Sequence, residues 1–273
     1  MSNDIAAPRF GLFIVGDEIL SGKREDKHFA KVIELLKARG LQLSWAQYLP
    51  DERESITHAL SRSLASSDVV FSCGGIGSTP DDHTRQAAAA ALGVSLTLHP
   101  EAEALIAQRC ADMAAEGRGT ADMSAPENRQ RLKMGEFPQG ARIVPNPFNR
   151  IPGFNVGHHW FVPGFPVMAW PMIEWVLDTS YAAYFNLTPQ AERALLVFET
   201  AESLIVPLME AVEARFAGIK AFSLPSVGDG RDGRPARRHI ELGVKGPAEL
   251  VDQAFELIER GVREMALETA PVR

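Results

Sequence analysis

Apolar positions along this chain recur with two periods, and the alternation between them predicts a parallel α/β fold. Phe10 to Val15 is a short apolar run ending at Gly16, which reads as a buried strand. Phe29, Val32, Ile33 and Leu36 recur at helical spacing, and Gly40 stops that helix. Leu41 to Tyr48 reads as a second strand, and Asp68 to Cys73 as a third. Between them, Asp51 occupies an N-cap position ahead of Ile56, Leu60 and Leu64 on one helical face. A glycine-rich turn follows the third strand and leads into the alanine-rich segment Arg85 to Leu92. This order of elements requires parallel pairing with helices on both faces of the sheet. Ligands in such sheets bind beyond the carboxyl ends of the strands. Gly16-Asp17-Glu18, Pro50-Asp51 and Gly74-Gly75-Ile76-Gly77 all fall at such ends.

Further along, Pro100 to Glu116 and Ala125 to Met134 read as helices. A turn-rich stretch carries Pro138, Pro145, Pro147, Pro152 and Pro163. His158 to Val162 reads as a strand leading through Pro163-Gly164-Phe165-Pro166 into an apolar helix that ends near Leu177. The pattern weakens between Thr179 and Gln190, so two domains are expected, residues 1–180 and residues 190–273. The second reads as a small α+β unit. Its expected strands are Ala194 to Glu199, Ile219 to Leu224 and His239 to Val244; its helices are marked by Leu204, Leu208, Val212 and Phe216, and by Leu250 to Met265.

Composition narrows the function. The 273 residues are 45% hydrophobic and 23% charged, ordinary for a globular protein with a sizeable core. A net charge of −7 argues against a general nucleic-acid or anionic-membrane surface. Cys73 and Cys110 are too few for a disulfide framework or a thiolate metal site. Met1 to Arg9 is polar, with no secretory apolar stretch, and no apolar run approaches membrane-spanning length. The cytoplasm is the expected compartment.

The segment from Ser72 to Thr84 carries the candidate chemistry. Gly74, Gly75 and Gly77 follow a strand, where glycines allow a tight turn that brings backbone N–H groups close to an anion. The positive end of the following helix faces the same place. Ser78, Thr79 and Thr84 add hydroxyl donors. Asp81 and Asp82 would repel a bare phosphate; either they cap the helix, or a divalent cation bridges carboxylate and phosphate oxygens. Asp17 and Glu18 leave the same two alternatives open. No P-loop lysine follows the glycines, which disfavours a Walker-type nucleotidase.

Gly-Gly-Ile-Gly-Ser-Thr-Pro-Asp-Asp-His-Thr-Arg, residues 74–85, resembles the signature of molybdopterin-binding (MoaB/Mog-like) domains, in the version found in competence/damage-inducible protein A (CinA) and in eukaryotic FAD synthases. Gly16-Asp17-Glu18-Ile19-Leu20-Ser21-Gly22, Pro50-Asp51-Glu52, Glu127-Asn128-Arg129, Pro145-Asn146-Pro147, Pro152-Gly153-Phe154 and Pro163-Gly164 agree in order and spacing. The likeness covers roughly residues 9–178, and residues 190–270 resemble the small domain that follows in CinA. It implies a three-layer α/β/α fold with a mostly parallel sheet. It also implies either divalent-metal-dependent hydrolysis of ADP-ribose-like pyrophosphates or adenylyl transfer to molybdopterin. The chain ends before a deamidase domain of the CinA type, so that activity is not expected of it.

Carried across residue by residue, the resemblance makes Asp82 and Asp51 the catalytic carboxylates and Asp82, Asp81 and Asp51 the candidate ligands of Mg2+ or Co2+. It places Gly16, Asp17, Glu18, Gly74, Gly75, Gly77, Ser78, Thr79, Thr84, Asn146, Arg150, Pro152, Gly153, Pro163 and Gly164 around a phosphate-containing ligand, with molybdopterin one candidate. Relatives self-associate, which implies a homodimer. Three departures bear on the substrate. Asp26 is followed by Lys27-His28 rather than Thr-Asn, Asn149-Arg150-Ile151 replaces Gly-Thr-Ala, and Met168 stands where an acid is expected. Arg150 would add positive charge near the pocket and read an extra phosphate or carboxylate. These changes also favour a non-catalytic pterin- or nucleotide-binding protein as the alternative function.

Other candidates have simpler readings. In His158-His159, adjacent strand residues face opposite sides, so one imidazole meets solvent and a metal pair is disfavoured. Arg231, Arg234, Arg237, Arg238 and His239, interspersed with Gly228, Gly230 and Gly233, read as a solvated hairpin before a nucleic-acid patch. Trp160, Trp170 and Trp175 read as core or interface residues before a stacking platform.

Overall fold

The computed structural model describes residues 8–186, 189–228 and 236–272. The chain divides into two compact units, Met1–Phe185 and Asn186–Arg273.

The first unit runs β1 (Phe10–Val15), α1 (Asp17–Leu20), α2 (His28–Lys37), β2 (Leu43–Leu49), α3 (Arg53–Leu64), β3 (Val69–Cys73), α4 (Thr84–Leu92), β4 (Leu96–Leu98), α5 (Pro100–Ala115), α6 (Pro126–Leu132), β5 (Glu136–Pro138), β6 (Arg142–Val144), β7 (Gly153–Val156), β8 (His159–Val162) and α7 (Pro166–Ser180). Six strands form one sheet in the order β2-β1-β3-β8-β7-β6. The first four are mutually parallel, and β7 and β6 extend the sheet antiparallel.

Burial explains why β1 and β3 read as unbroken apolar runs: every residue of both is buried, because helices cover both faces. The side chains still alternate. Phe10, Leu12 and Ile14 enter a core with Val32, Leu36, Met172 and Val176 from α2 and α7. Phe13 and Val15 enter the opposite core with Ile56, Leu60, Ala87, Ala88 and Ala102 from α3, α4 and α5. The result is the expected three-layer α/β/α architecture. Gly11 has no side chain because Trp45 of the neighbouring strand lies across it; a Cβ there would sit 2.1 Å from the indole.

Two expectations need correction. Asp51 is not the cap of α3, whose N-cap is Glu52 with extended backbone and no side-chain cap bond. The turn-rich stretch is also more ordered than its prolines suggested: besides β8, expected as His158 to Val162, it holds β5, β6 and β7, and β5 pairs with β4 outside the main sheet. β4 to β7, of three or four residues each, are too short for a period to repeat, so pattern reading passes over them.

The second unit runs β9 (Gln190–Phe198), α8 (Glu202–Arg215), β10 (Lys220–Ser226), β11 (His239–Pro247), α9 (Ala248–Glu264) and β12 (Thr269–Pro271). Its sheet is antiparallel in the order β10-β11-β9-β12. Leu195, Val197, Leu242 and Val244 meet Ile205 and Val212 of α8 and Phe255 and Ile258 of α9 in its core. β12 had no signal in the pattern. Of the basic run, Gly230, Arg231, Gly233 and Arg234 lie outside the described residues. Arg237 is committed to Glu268 through bonds of 2.9 and 3.0 Å and stacks over Phe198.

Candidate functional site

The carboxyl ends of the parallel strands shape the site. At the tip of β1, the Gly16 N–H donates to the Leu49 carbonyl at 3.1 Å. Beyond it, Asp17 and Asp51 exchange bonds: the Asp17 N–H donates to Asp51 Oδ2 at 2.8 Å, and the Asp51 N–H donates to Asp17 Oδ1 at 3.2 Å. Each acid thus orients the other's backbone, which answers the sequence question about Asp17: it joins two strand tips.

At the end of β3 the chain turns on Gly74 and Gly75. Gly74 has φ +107, and a Cβ there would lie 2.3 Å from the Val15 carbonyl oxygen. At Gly75, φ +67, a Cβ would lie 2.2 Å from Thr84 Oγ1. Only glycine fits either position. Thr84, expected to offer its hydroxyl to a ligand, is fully buried instead: its Oγ1 donates to the Gly74 carbonyl at 3.0 Å, and its N–H to the Gly75 carbonyl at 2.9 Å. The Gly75 N–H has no intramolecular partner among the described residues and remains available.

Asp82 closes the loop. Its Oδ1 accepts the Gly77 N–H at 2.8 Å, and its Oδ2 accepts both the Thr79 N–H at 2.8 Å and the Thr79 hydroxyl at 2.6 Å. The helix-cap alternative fails, because α4 is preceded by His83 and has no side-chain cap bond. The Gly77 N–H, expected to approach an anion, and the Thr79 hydroxyl, expected to serve as a donor, are both bonded to this carboxylate. Ser78 offers its carbonyl to Gln130 Nε2 at 2.5 Å.

Sequence reading assigned no role to Arg85, which lies beneath the loop at 3% exposure. Its Nη2 donates to the Gly77 carbonyl at 2.5 Å, while Nε and Nη1 find no partner among the described residues. Burial lowers its pKa, and the charges of Asp82 and Glu136 oppose that. As a charged residue near a helix start it looks like a solvated position; only the tertiary packing reveals it.

A cleft of about 180 Å³ opens above these elements, lined among others by Gly16, Glu18, Asp51, Gly74, Gly75, Thr79, Asp81, Asp82 and Gly164. Arg24 and Phe165, which the sequence reading left out, line it too. Asp51 has its pKa raised, first by burial and then by the charges of Asp17, Glu18 and Asp81, with the Asp17 N–H bond opposing. Four carboxylates, those of Glu18, Asp51, Asp81 and Asp82, thus line one opening together with Arg24. Among the described residues, no group of three or more His, Cys, Asp or Glu side chains forms a protein-only metal centre. Asp51 and Asp82 line the same opening, with both Asp82 oxygens already accepting bonds from Gly77 and Thr79.

The remaining expected residues do not line the cleft. Asn146 is buried, with Nδ2 donating to the Ile151 carbonyl and to Asn149 Oδ1, both at 2.9 Å, and Oδ1 accepting the Phe148 N–H at 3.0 Å. It therefore holds its own turn. Pro152 and Gly153 are buried at the start of β7, where a Cβ on Gly153 would lie 2.2 Å from the Phe161 carbonyl oxygen. Pro163 follows β8 and leads into Gly164, whose carbonyl bonds His28 Nε2 at 2.9 Å. Arg150 corrects the expectation of extra positive charge at the pocket: it is exposed, does not line the cleft, and pairs with Asp112 at 3.1 Å. The other candidates separate as follows. His158 is exposed while His159 is buried against Ser63 at 2.8 Å. Trp160 is a core residue donating to the Tyr181 hydroxyl, and none of the three tryptophans lines the cleft.

Comparison with known proteins places this arrangement. Residues 11–182 match the model of the family described as "Probable molybdopterin binding domain". A CinA-like protein of Citrifermentans bemidjiense is 33% identical over 206 residues, covering 74% of this chain and 47% of that protein. One from Syntrophotalea carbinolica is 32% identical over 216 residues, covering 75% and 50%. The chain thus spans about half the length of these curated relatives. Among solved structures, the protein CinA with unknown function from Thermoplasma acidophilum aligns at a TM-score of 0.52 and 28% identity, over 63% of this chain and 97% of that one. Among the described residues, no helix is long and apolar enough to cross a membrane.

Proposed function

Because this chain belongs to the family of probable molybdopterin binding domains, we propose that its cleft binds a pterin- or nucleotide-like phosphate ligand and hydrolyses a nucleoside-diphosphate-linked substrate such as ADP-ribose. One observation carries this reading: Asp51, Asp82 and the glycine turn converge on one opening at the carboxyl ends of the strands. The Gly75 N–H and the start of α4 supply positive potential for a pyrophosphate. The carboxylates of Asp51 and Asp82 would hold a divalent cation, which offsets charge on phosphoryl oxygens when bound. Water attacks one phosphorus and the bridging P–O bond breaks, giving AMP and ribose 5-phosphate.

A second reading, ligand binding without turnover, is favoured by the full engagement of Asp82 in its own loop. Incubating the full chain with ADP-ribose and magnesium, cobalt or manganese separates the two. The hydrolase reading expects AMP release that Asp82→Asn lowers roughly 100-fold or more. Saturable binding with no AMP under any metal would sink that reading and leave the binder. Transfer of AMP to molybdopterin would identify the adenylyltransferase instead. A homodimer is expected, and light scattering on the full chain measures it.

A further inference from the structure

Arg24 and Phe165 stand on the cleft and have no structural task that the fold explains. Arg24 follows α1, where its N–H donates to the Glu18 carbonyl at 2.9 Å and fixes the backbone. Its guanidinium is exposed and makes no hydrogen bond or ion pair among the described residues. Glu18, Asp51, Asp81 and Asp82 line the same opening, yet Arg24 pairs with none of them, so its planar fork of donors is free for a phosphate.

Phe165 is 57% exposed although it is a large apolar side chain. Its backbone is rigid: the Phe165 carbonyl accepts the Met168 and Ala169 N–H groups at 2.9 Å each, and the preceding Gly164 carbonyl is tied to His28. Gly164 packs beside the glycine turn, with a Cβ there only 3.4 Å from Gly74 Cα. Phe165 therefore lines the cleft from a bonded backbone beside the anion loop, with its side chain exposed. An exposed ring in a polar cleft is a stacking face for a planar heterocycle.

We propose that Arg24 and Phe165 are specificity-determining residues that select a ligand carrying both a phosphate and a planar heteroaromatic ring, Arg24 reading the phosphate and Phe165 stacking on the ring. This rests on the reading of the cleft as an anion site. Nucleotides and pterin phosphates share that chemistry, and the experiment separates them.

Titration calorimetry on the full chain with magnesium compares pyrophosphate, ADP and a pterin phosphate across wild type, Arg24→Gln, Phe165→Ala and Phe165→Trp. Arg24→Gln is expected to weaken all three ligands roughly tenfold. Phe165→Ala is expected to weaken a ring-bearing ligand roughly tenfold and leave pyrophosphate unchanged, with Phe165→Trp restoring the difference. Loss on ADP, on the pterin phosphate or on both supports the proposal and names the ring. Loss on neither, or unchanged pyrophosphate affinity in Arg24→Gln, overturns it while wild-type binding keeps the anion site intact. Wild type that binds none of the three removes the anion site itself, and this proposal with it. Both side chains are exposed, so unchanged melting temperatures are expected to confirm that the variants fold.

Discussion

At the carboxyl ends of β1, β2 and β3, Glu18, Asp51, Asp81 and Asp82 stand around an opening to solvent. At the other end of the same sheet, His159 opens β8 at 1% exposure, bonded to Ser63 and sealed from water. The two polar clusters share strands and differ in charge state. Burial pushes the His159 pKa down to about 4, helped by the charge of His158 and opposed by Asp68, so the imidazole is neutral at physiological pH. The acids opposite remain crowded, and none is paired with a cation among the described residues. His159 is neutral and bonded through Nε2 to Ser63 of α3, whereas like charges crowded at an opening leave capacity for something else.

The comparison can be broken first with glycine. Gly74→Ala at the acidic end drives a Cβ to 2.3 Å from the Val15 carbonyl oxygen at φ +107 and is expected to destabilise by roughly 3 kcal/mol or more. Gly157→Ala at the opposite end, with φ +56 and open space around it, is expected to cost about 1 kcal/mol. Urea unfolding of both variants measures the gap, and equal losses would remove the claim that the anion loop is sterically set.

Protonation gives the next test. His159 has a folded pKa below its ordinary 6.5, so the folded state binds fewer protons than the unfolded one. Stability is full above pH 6.5 and is lost as pH falls toward 4, by about 2–3 kcal/mol. Denaturant titrations of His159→Gln across that window should show a flatter slope than wild type.

Asp51 has the opposite sign. Its raised pKa means the folded state holds the proton more tightly, so its unfavourable contribution appears as pH rises through the folded pKa. Asp51→Asn keeps an oxygen to accept the Asp17 N–H and relieves the crowding of charge. A gain of a few tenths of a kcal/mol, roughly, is expected at pH 8 and none at pH 4, read as the difference in melting temperature between variant and wild type. Equal shifts at both pH values would mean that the acids do not repel one another.

The long elements were legible because their burial imposes a period. β1 and β3 recur as apolar runs, and α2 and α9 as apolar stripes, and the fold buries them. The convergence of Asp51, Asp82 and the glycine turn was legible for a different reason: parallel topology brings strand ends together whatever their separation in sequence. Bonding partners were not legible. Thr84 and Asp82 were expected to face a ligand, yet their oxygens hold the loop, and nothing in composition distinguishes a hydroxyl that donates inward from one that donates outward. Arg150 failed likewise, because its Asp112 partner comes from a helix 38 residues away. Arg24 and Phe165 were passed over because an unpaired surface residue belongs to no period.

Gly74 and Gly164 belong to neighbouring strand exits, and they meet with nothing but hydrogen atoms between their α-carbons and the facing chain. On the Gly74 side that wall is drawn by main chain, because a Cβ on Gly74 would lie 2.3 Å from the Val15 carbonyl oxygen and no larger residue fits there without prising β1 and β3 apart. Variation among ligands must be accommodated at the mouth, where residues are replaceable, so new preferences can arise there while the inner gauge stays constant.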